Sequence, residues 1–128
     1  VDGYPHGFFV GPTILEDVRP EMAVARDEIF GPLLGVLPVN DLDEALDIVN
    51  ASPYGNAAAI FTGSGAAART FRHHARVGNV GVNVGIPAPV ASFPFCGAKQ
   101  SFFGDLHGQG RDAIQFFTDR KVVVSRWF

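Results

Sequence analysis

"LLGVLPVNDLDEALDIVNASPYGNAAAIFT", residues 33–62, decides the fold class. It opens on an apolar run over 33–39 that reads as a buried strand. Asn40 or Asp41 then offers a side-chain oxygen to the free amides of a helix start, with Asp43 and Glu44 in the first turn. Leu42, Ala45, Leu46 and Val49 recur at helical spacing, so a helix runs from about 41 to 51 and stops near Pro53. "NAAAIFT" (56–62) is the next strand. Working outward, residues 66–76 predict a second helix whose cationic end, Arg72 and Arg76, suits the negative pole of the dipole, and "GNVGVNV" (78–84) predicts a further strand. Upstream, "GFFVGPTILEDV" (7–18) reads as a kinked strand or two short ones. Strand, helix, strand, helix, strand at this spacing predicts an α/β fold with right-handed crossovers, a mostly parallel sheet and flanking helices.

Beyond Val84 the pattern stops. "GIPAPVASFPFCGAKQSFFGDLHGQG" (85–110) holds three Pro and four Phe and has no period; a loop of that length inside a compact domain is usually functional. A short helix from Arg111 to about Phe117 follows, and then "RKVVVSRWF" (120–128), which reads as a strand. Val122, Val123 and Val124 lack the in/out alternation of a strand with one wet face, so both faces and at least one edge require cover.

The 128 residues are 47% hydrophobic and 18% charged, which bounds the chain to one domain or a piece of one and reads as the inside of something larger. A net charge of −3 offers no footprint for nucleic acid, and no apolar run reaches the length of a membrane span, so neither is expected as a partner. The opening "VDGYPHG" does not read as a signal peptide. Cys96 is the single cysteine and cannot form an internal disulfide, which fits a reducing, cytoplasmic location.

Several signals point less far than they first suggest. "GSGAAA" (63–68) follows a strand and opens a helix, as a dinucleotide-binding turn does, but Asn83, Val84 and Gly85 stand where an acid should meet the ribose. The simpler reading is a helix entry whose small residues allow close packing on the sheet. "GQGRDA" (108–113) has the same spacing and follows no strand. His73 and His74 are helix neighbours about 100° apart, no spaced Cys or carboxylate joins them, and no metal site is expected. Cys96 lies near Lys99 in "FPFCGAK" (93–99), which could favour a thiolate, yet no base stands nearby in sequence; an inert small apolar side chain is the simpler reading.

"ARDEIFGPLL" (25–34) raises a different question, because it holds a carboxylate and a ring together before a Gly-Pro turn. A Glu fixed there can accept two hydrogen bonds from a vicinal diol, and a Phe two positions on can lie against a planar ring; a nucleoside has both. On chemistry alone the favoured arrangement is plainer: Arg26 or Arg19 pairs with Glu28, and Phe30 is core.

Resemblance shifts that balance. "DEIFGPLL" (27–34) resembles the Glu-x-Phe-Gly-Pro motif of the aldehyde dehydrogenase superfamily. It stands in the family's order and spacing relative to "FFVGPTIL" (8–15), "VNASPYGNAAAIFT" (49–62) and "RVGNVGVNV" (76–84). The match runs from Gly3 to Trp127. It implies that Glu28 binds the nicotinamide ribose hydroxyls of NAD and that Phe30 packs beside the nicotinamide. Ile86, Pro87, Pro89 and Phe95 would line part of the aldehyde entrance. "PFCGAKQSFFGDLHGQG" (94–110) departs from the family's common Pro-Phe-Gly-Gly-x-Lys-x-Ser-Gly-x-Gly-Arg-Glu pattern, with Cys96 for a glycine and Gly-Asp-Leu for Gly-Arg-Glu. With the terminal "TDRKVVVSRWF" (118–128), it is similar to the CoA-acylating methylmalonate-semialdehyde dehydrogenases.

That similarity implies residues 1–118 as the C-terminal part of the catalytic domain and 119–128 as an oligomerisation strand of a homodimer or homotetramer. It implies a small aldehyde substrate, NAD as cofactor and coenzyme A as co-substrate, with the nucleophilic cysteine upstream of Val1 and no catalytic residue among these 128. The location would be the cytoplasm, or the mitochondrial matrix in a eukaryote. Two other readings stand beside it: an acid-forming enzyme in which water resolves the thioester, and a non-catalytic assembly module of the same fold.

Overall fold

The structure, a computed structural model, describes residues 2–4 and 6–128. Its elements run β1 (Thr13–Leu15), α1 (Ala23–Arg26), β2 (Leu33–Gly35), α2 (Leu42–Ala51), β3 (Ala57–Ile60), α3 (Gly65–His74), β4 (Asn79–Val82) and α4 (Gly110–Phe116). They fall into two compact units, residues 1–48 and 49–128.

In the first unit β1 and β2 pair in parallel, with Thr13 opposite Leu33 and Leu15 opposite Gly35. Backbone bonds continue the pairing past β1: the Val36 amide donates to Leu15 at 2.8 Å and the Val18 amide to Val36 at 3.1 Å. Val18 is buried there. The start of α2 is fixed locally. Asp41 Oδ1 accepts from the Glu44 amide at 2.9 Å, and Glu44 Oε2 accepts from the Asn40 amide and from Asn40 Nδ2, each at 2.8 Å. This reciprocal exchange satisfies donors that a helix leaves open, and it selects Asp41 over Asn40 as the cap.

In the second unit β3 and β4 pair in parallel from Ala57–Asn79 to Ile60–Val82, with α3 between them in sequence. Ser64 caps α3 by accepting from the Ala67 amide at 3.2 Å, so "GSGAAA" is a helix entry. The close packing expected of its small residues is not found at its glycines: a Cβ on Gly63 would meet nothing, and one on Gly65 would meet Arg69 alone. Asn83, in the left-handed region at φ 55°, ends β4 by bonding both the amide and the carbonyl of Thr62, at 2.8 and 3.1 Å.

The strands differ from expectation in extent. The parallel pairing is present, but as two sheets of two strands rather than one continuous sheet. Residues 7–12 and 36–39 have strand-like sequence and fall outside β1 and β2. Residues 120–128 form no ladder with any other described segment, and Val122, Val124 and Trp127 are almost fully exposed. A strand forms where a second backbone satisfies its edge, and the partner expected for this segment is a neighbouring copy.

The accessible surface is 10520 Å². Two separately folded domains of these sizes would expose about 8,000 Å². The surplus is apolar: Phe8, Phe30, Phe103 and Phe128 stand almost bare, whereas Val18, Leu46 and Phe71 are the buried hydrophobic residues. Apolar faces of this extent mark surfaces that pack on other polypeptide.

Candidate functional site

The segment carrying Glu28 and Phe30 lies in the first unit, between α1 and β2. Two successive tight turns shape it. The Gly31 amide donates to the Ile29 carbonyl at 3.0 Å, and the Leu33 amide donates to the Gly31 carbonyl at 2.8 Å. The Thr13 amide then fastens the Pro32 carbonyl to β1 at 2.8 Å. The second turn is therefore anchored to the sheet at its central residue.

Both parts of the plainer arrangement fail here. Arg19 Nε pairs with Glu21 at 2.7 Å, and among the described residues no ion pair joins Arg26 to Glu28. Glu21's carboxyl is held below the ordinary carboxylate range, first by a hydrogen bond from its own backbone and then by Arg19. Phe30 is 92% exposed and is not core in this chain. A carboxylate and an aromatic face thus stand open on one anchored turn.

The residues expected at the aldehyde entrance lie in the second unit. Ile86 and Phe95 are exposed, and Pro87 and Pro89 are half-buried. Phe95 is tied by its amide to the Gly108 carbonyl at 2.7 Å, and the Gly110 amide reaches the Ala91 carbonyl at 3.1 Å, so residues 91–95 lie against 108–110. One open surface hollow in this unit follows the solvent face of α3 and another lies beside Tyr54 and Ser101; neither includes an expected entrance residue.

Sequence reasoning missed what holds this region. Lys99 Nζ donates to three carbonyls at the C-terminal end of α2: Val49 at 3.1 Å, Asn50 at 3.0 Å and Ser52 at 2.9 Å. A helix ends with unpaired carbonyls and partial negative charge, and one ammonium with three donors answers both. Around it, the Gln100 and Ala98 amides donate to Pro53 and Gly55 at 3.0 Å each, and Ser101 Oγ accepts from the Gly55 amide at 3.1 Å. Asn79 Nδ2 donates to the Cys96 carbonyl at 2.6 Å. Gly78 lies so close to the next residue of that segment that a Cβ on it would come within 2.5 Å of the Gly97 backbone. The Lys99 ammonium is thereby engaged with the end of α2 rather than with the Cys96 thiol.

The aldehyde dehydrogenase family matches residues 1–123. The chain belongs to the aldehyde dehydrogenase family. Within it, the chain is 52% identical over 121 residues to malonate-semialdehyde dehydrogenase 2 of Bacillus thuringiensis (strain Al Hakam), covering 94% of this chain and 25% of that one. The crystal structure of methylmalonate-semialdehyde dehydrogenase from Oceanimonas doudoroffii superposes with a TM-score of 0.90 at 50% identity, covering 94% of this chain and 25% of that one. A protein of Sinorhizobium meliloti 1021 described by the same enzyme name, and complexed with NAD, superposes with a TM-score of 0.92 at 45% identity, covering 99% and 26%. This family member therefore spans about a quarter of the length of the relatives it matches. The α/β fold and the resemblance read from the motifs both stand.

Proposed function

We propose that this chain is the C-terminal part of an NAD-dependent, CoA-acylating dehydrogenase of malonate-semialdehyde or methylmalonate-semialdehyde type, and that Glu28 and Phe30 place the nicotinamide end of the cofactor. The observation that carries the reading is the anchored turn on which Glu28 has no ion-pair partner among the described residues and Phe30 presents a bare face. A carboxylate accepts hydrogen bonds from both hydroxyls of a vicinal diol, and an exposed ring stacks on a planar one, so the two fit a nicotinamide riboside. The NAD carried by the Sinorhizobium relative supports the same choice. NAD, when bound, supplies the hydride acceptor.

In this reading a cysteine thiolate from sequence outside these residues attacks the aldehyde carbon. Loss of hydride leaves a thioester, and the CoA thiol displaces the enzyme's sulfur to give acyl-CoA. Ile86, Pro87, Pro89 and Phe95 line the approach of the aldehyde and help exclude water. Residues 119–128 complete a sheet with a neighbouring copy, making a homodimer or homotetramer. The compartment is reducing, cytoplasmic or mitochondrial matrix.

The full-length enzyme given propanal, NAD and CoA should form propanoyl-CoA, while the isolated 128 residues turn over nothing. Free acid as the sole product would assign hydrolysis instead, and turnover by the isolated chain would end the fragment reading. Glu28→Gln in the full-length enzyme should slow hydride transfer roughly 10-fold or more without a matching loss of stability. It weakens two charge-assisted hydrogen bonds, about 1 to 3 kcal/mol of positioning. Wild-type kcat and KM for NAD in that variant would make Glu28 structural.

A further inference from the structure

His107 and Asp112 face each other where the long loop meets α4. Consecutive residues in the left-handed region, Gln109 at φ 72° and Gly110 at φ 57°, reverse the chain and bring Asp112 back toward His107. Asp112 Oδ2 then lies 3.1 Å from His107 Nδ1 and 3.4 Å from the His107 amide. The imidazole stacks on Phe102, with ring centroids 4.2 Å apart and planes 22° apart, and both side chains of the pair are largely withdrawn from solvent, 20% and 28% exposed. Asp105 and Arg111, the nearest charged neighbours in sequence, are exposed, and among the described residues His107 is ion-paired with Asp112 alone.

The residue after His107 is Gly108, whose carbonyl holds the Phe95 amide at 2.7 Å. Two residues further, Gly110 holds Ala91, and a Cβ on Gly110 would come within 2.9 Å of the Ser92 carbonyl oxygen. The ring stack, the ion pair and the chain reversal thus converge on the strip of backbone that carries residues 91–95. We infer that His107 and Asp112 are positioning residues: as a clamp they set where Phe95 and the loop before it stand, and through Phe95 they govern capture of the aldehyde. This rests on the entrance assigned to Ile86–Phe95 above.

The clamp needs a hydrogen-bond acceptor at position 112 facing His107 Nδ1. In the full-length enzyme Asp112→Ala should raise KM for the aldehyde about tenfold with kcat within about twofold, the size of one lost charge-assisted bond. Asp112→Asn keeps an acceptor of the same shape and should restore KM most of the way. Hydrogen exchange at the Phe95 amide gives a readout independent of turnover: protection should fall in Asp112→Ala and return most of the way in Asp112→Asn. An unchanged Phe95 amide in Asp112→Ala overturns the clamp. Altered protection with unchanged KM removes the entrance assignment and its link to the clamp, and leaves the Glu28 result to judge the cofactor reading.

Discussion

Replacing Lys99 by methionine in the full-length enzyme is expected to lower unfolding stability by about 2 to 4 kcal/mol, read as a shift of the urea midpoint. Methionine keeps an unbranched stem and removes the ammonium, so the change isolates the three bonds to Val49, Asn50 and Ser52. Those carbonyls close α2, and the half-buried site admits little water to replace the lost donors. Arginine should rescue poorly, because a planar guanidinium directs its donors in a fork and cannot converge on three carbonyls around one point. Lys99 also stands at φ 54°, a conformation a lysine adopts only against a steric cost. An unchanged midpoint in Lys99→Met would show that α2 ends well without it.

Deleting residues 120–128 from the full-length enzyme should convert the oligomer to monomer or aggregate, as seen by light scattering. Val122, Val123, Val124, Trp127 and Phe128 are all exposed in this chain. Full cover of each is worth roughly 1.5 to 3 kcal/mol, which together exceeds what most single interfaces can lose and survive. The backbone adds its own demand, since its amides and carbonyls form no ladder with any described segment. A truncated enzyme that remains oligomeric and soluble would place this segment against its own subunit.

Helices were legible wherever their signals are local. Asp41 and Glu44 cap α2 across three residues, and Ser64 does the same for α3, so both starts stand in the sequence itself. The parallel pairing of β3 with β4 follows from the helix that separates them. The two-sheet arrangement was not legible, because no residue in 36–39 or 120–128 says which backbone will lie beside it. Glu28 and Phe30 were ambiguous for another reason: one acid and one ring suit an ion pair and a core as well as a nucleoside, and in the sequence it is the family motif that favours the nucleoside. Lys99 was invisible because its acceptors lie some fifty residues upstream, and a lysine beside a cysteine suggests the wrong partner. His107 and Asp112 are five residues apart, a spacing with no meaning until Gln109 and Gly110 turn the chain between them.

The close approach of Gly78 to Gly97, with Asn79 gripping the carbonyl of Cys96, brings the two ends of the 80–95 segment to one place. A loop whose ends are pinned together behaves as an interchangeable part. Its length and side chains can be rewritten at a conformational cost that grows only slowly with each added residue, while the frame beneath keeps its geometry. The stretch that begins after Val84 can therefore vary quickly, on a scaffold that does not have to change with it. The same separation gives a protein engineer a natural pair of splice points, one after Asn79 and one before Cys96, for exchanging the segment between them.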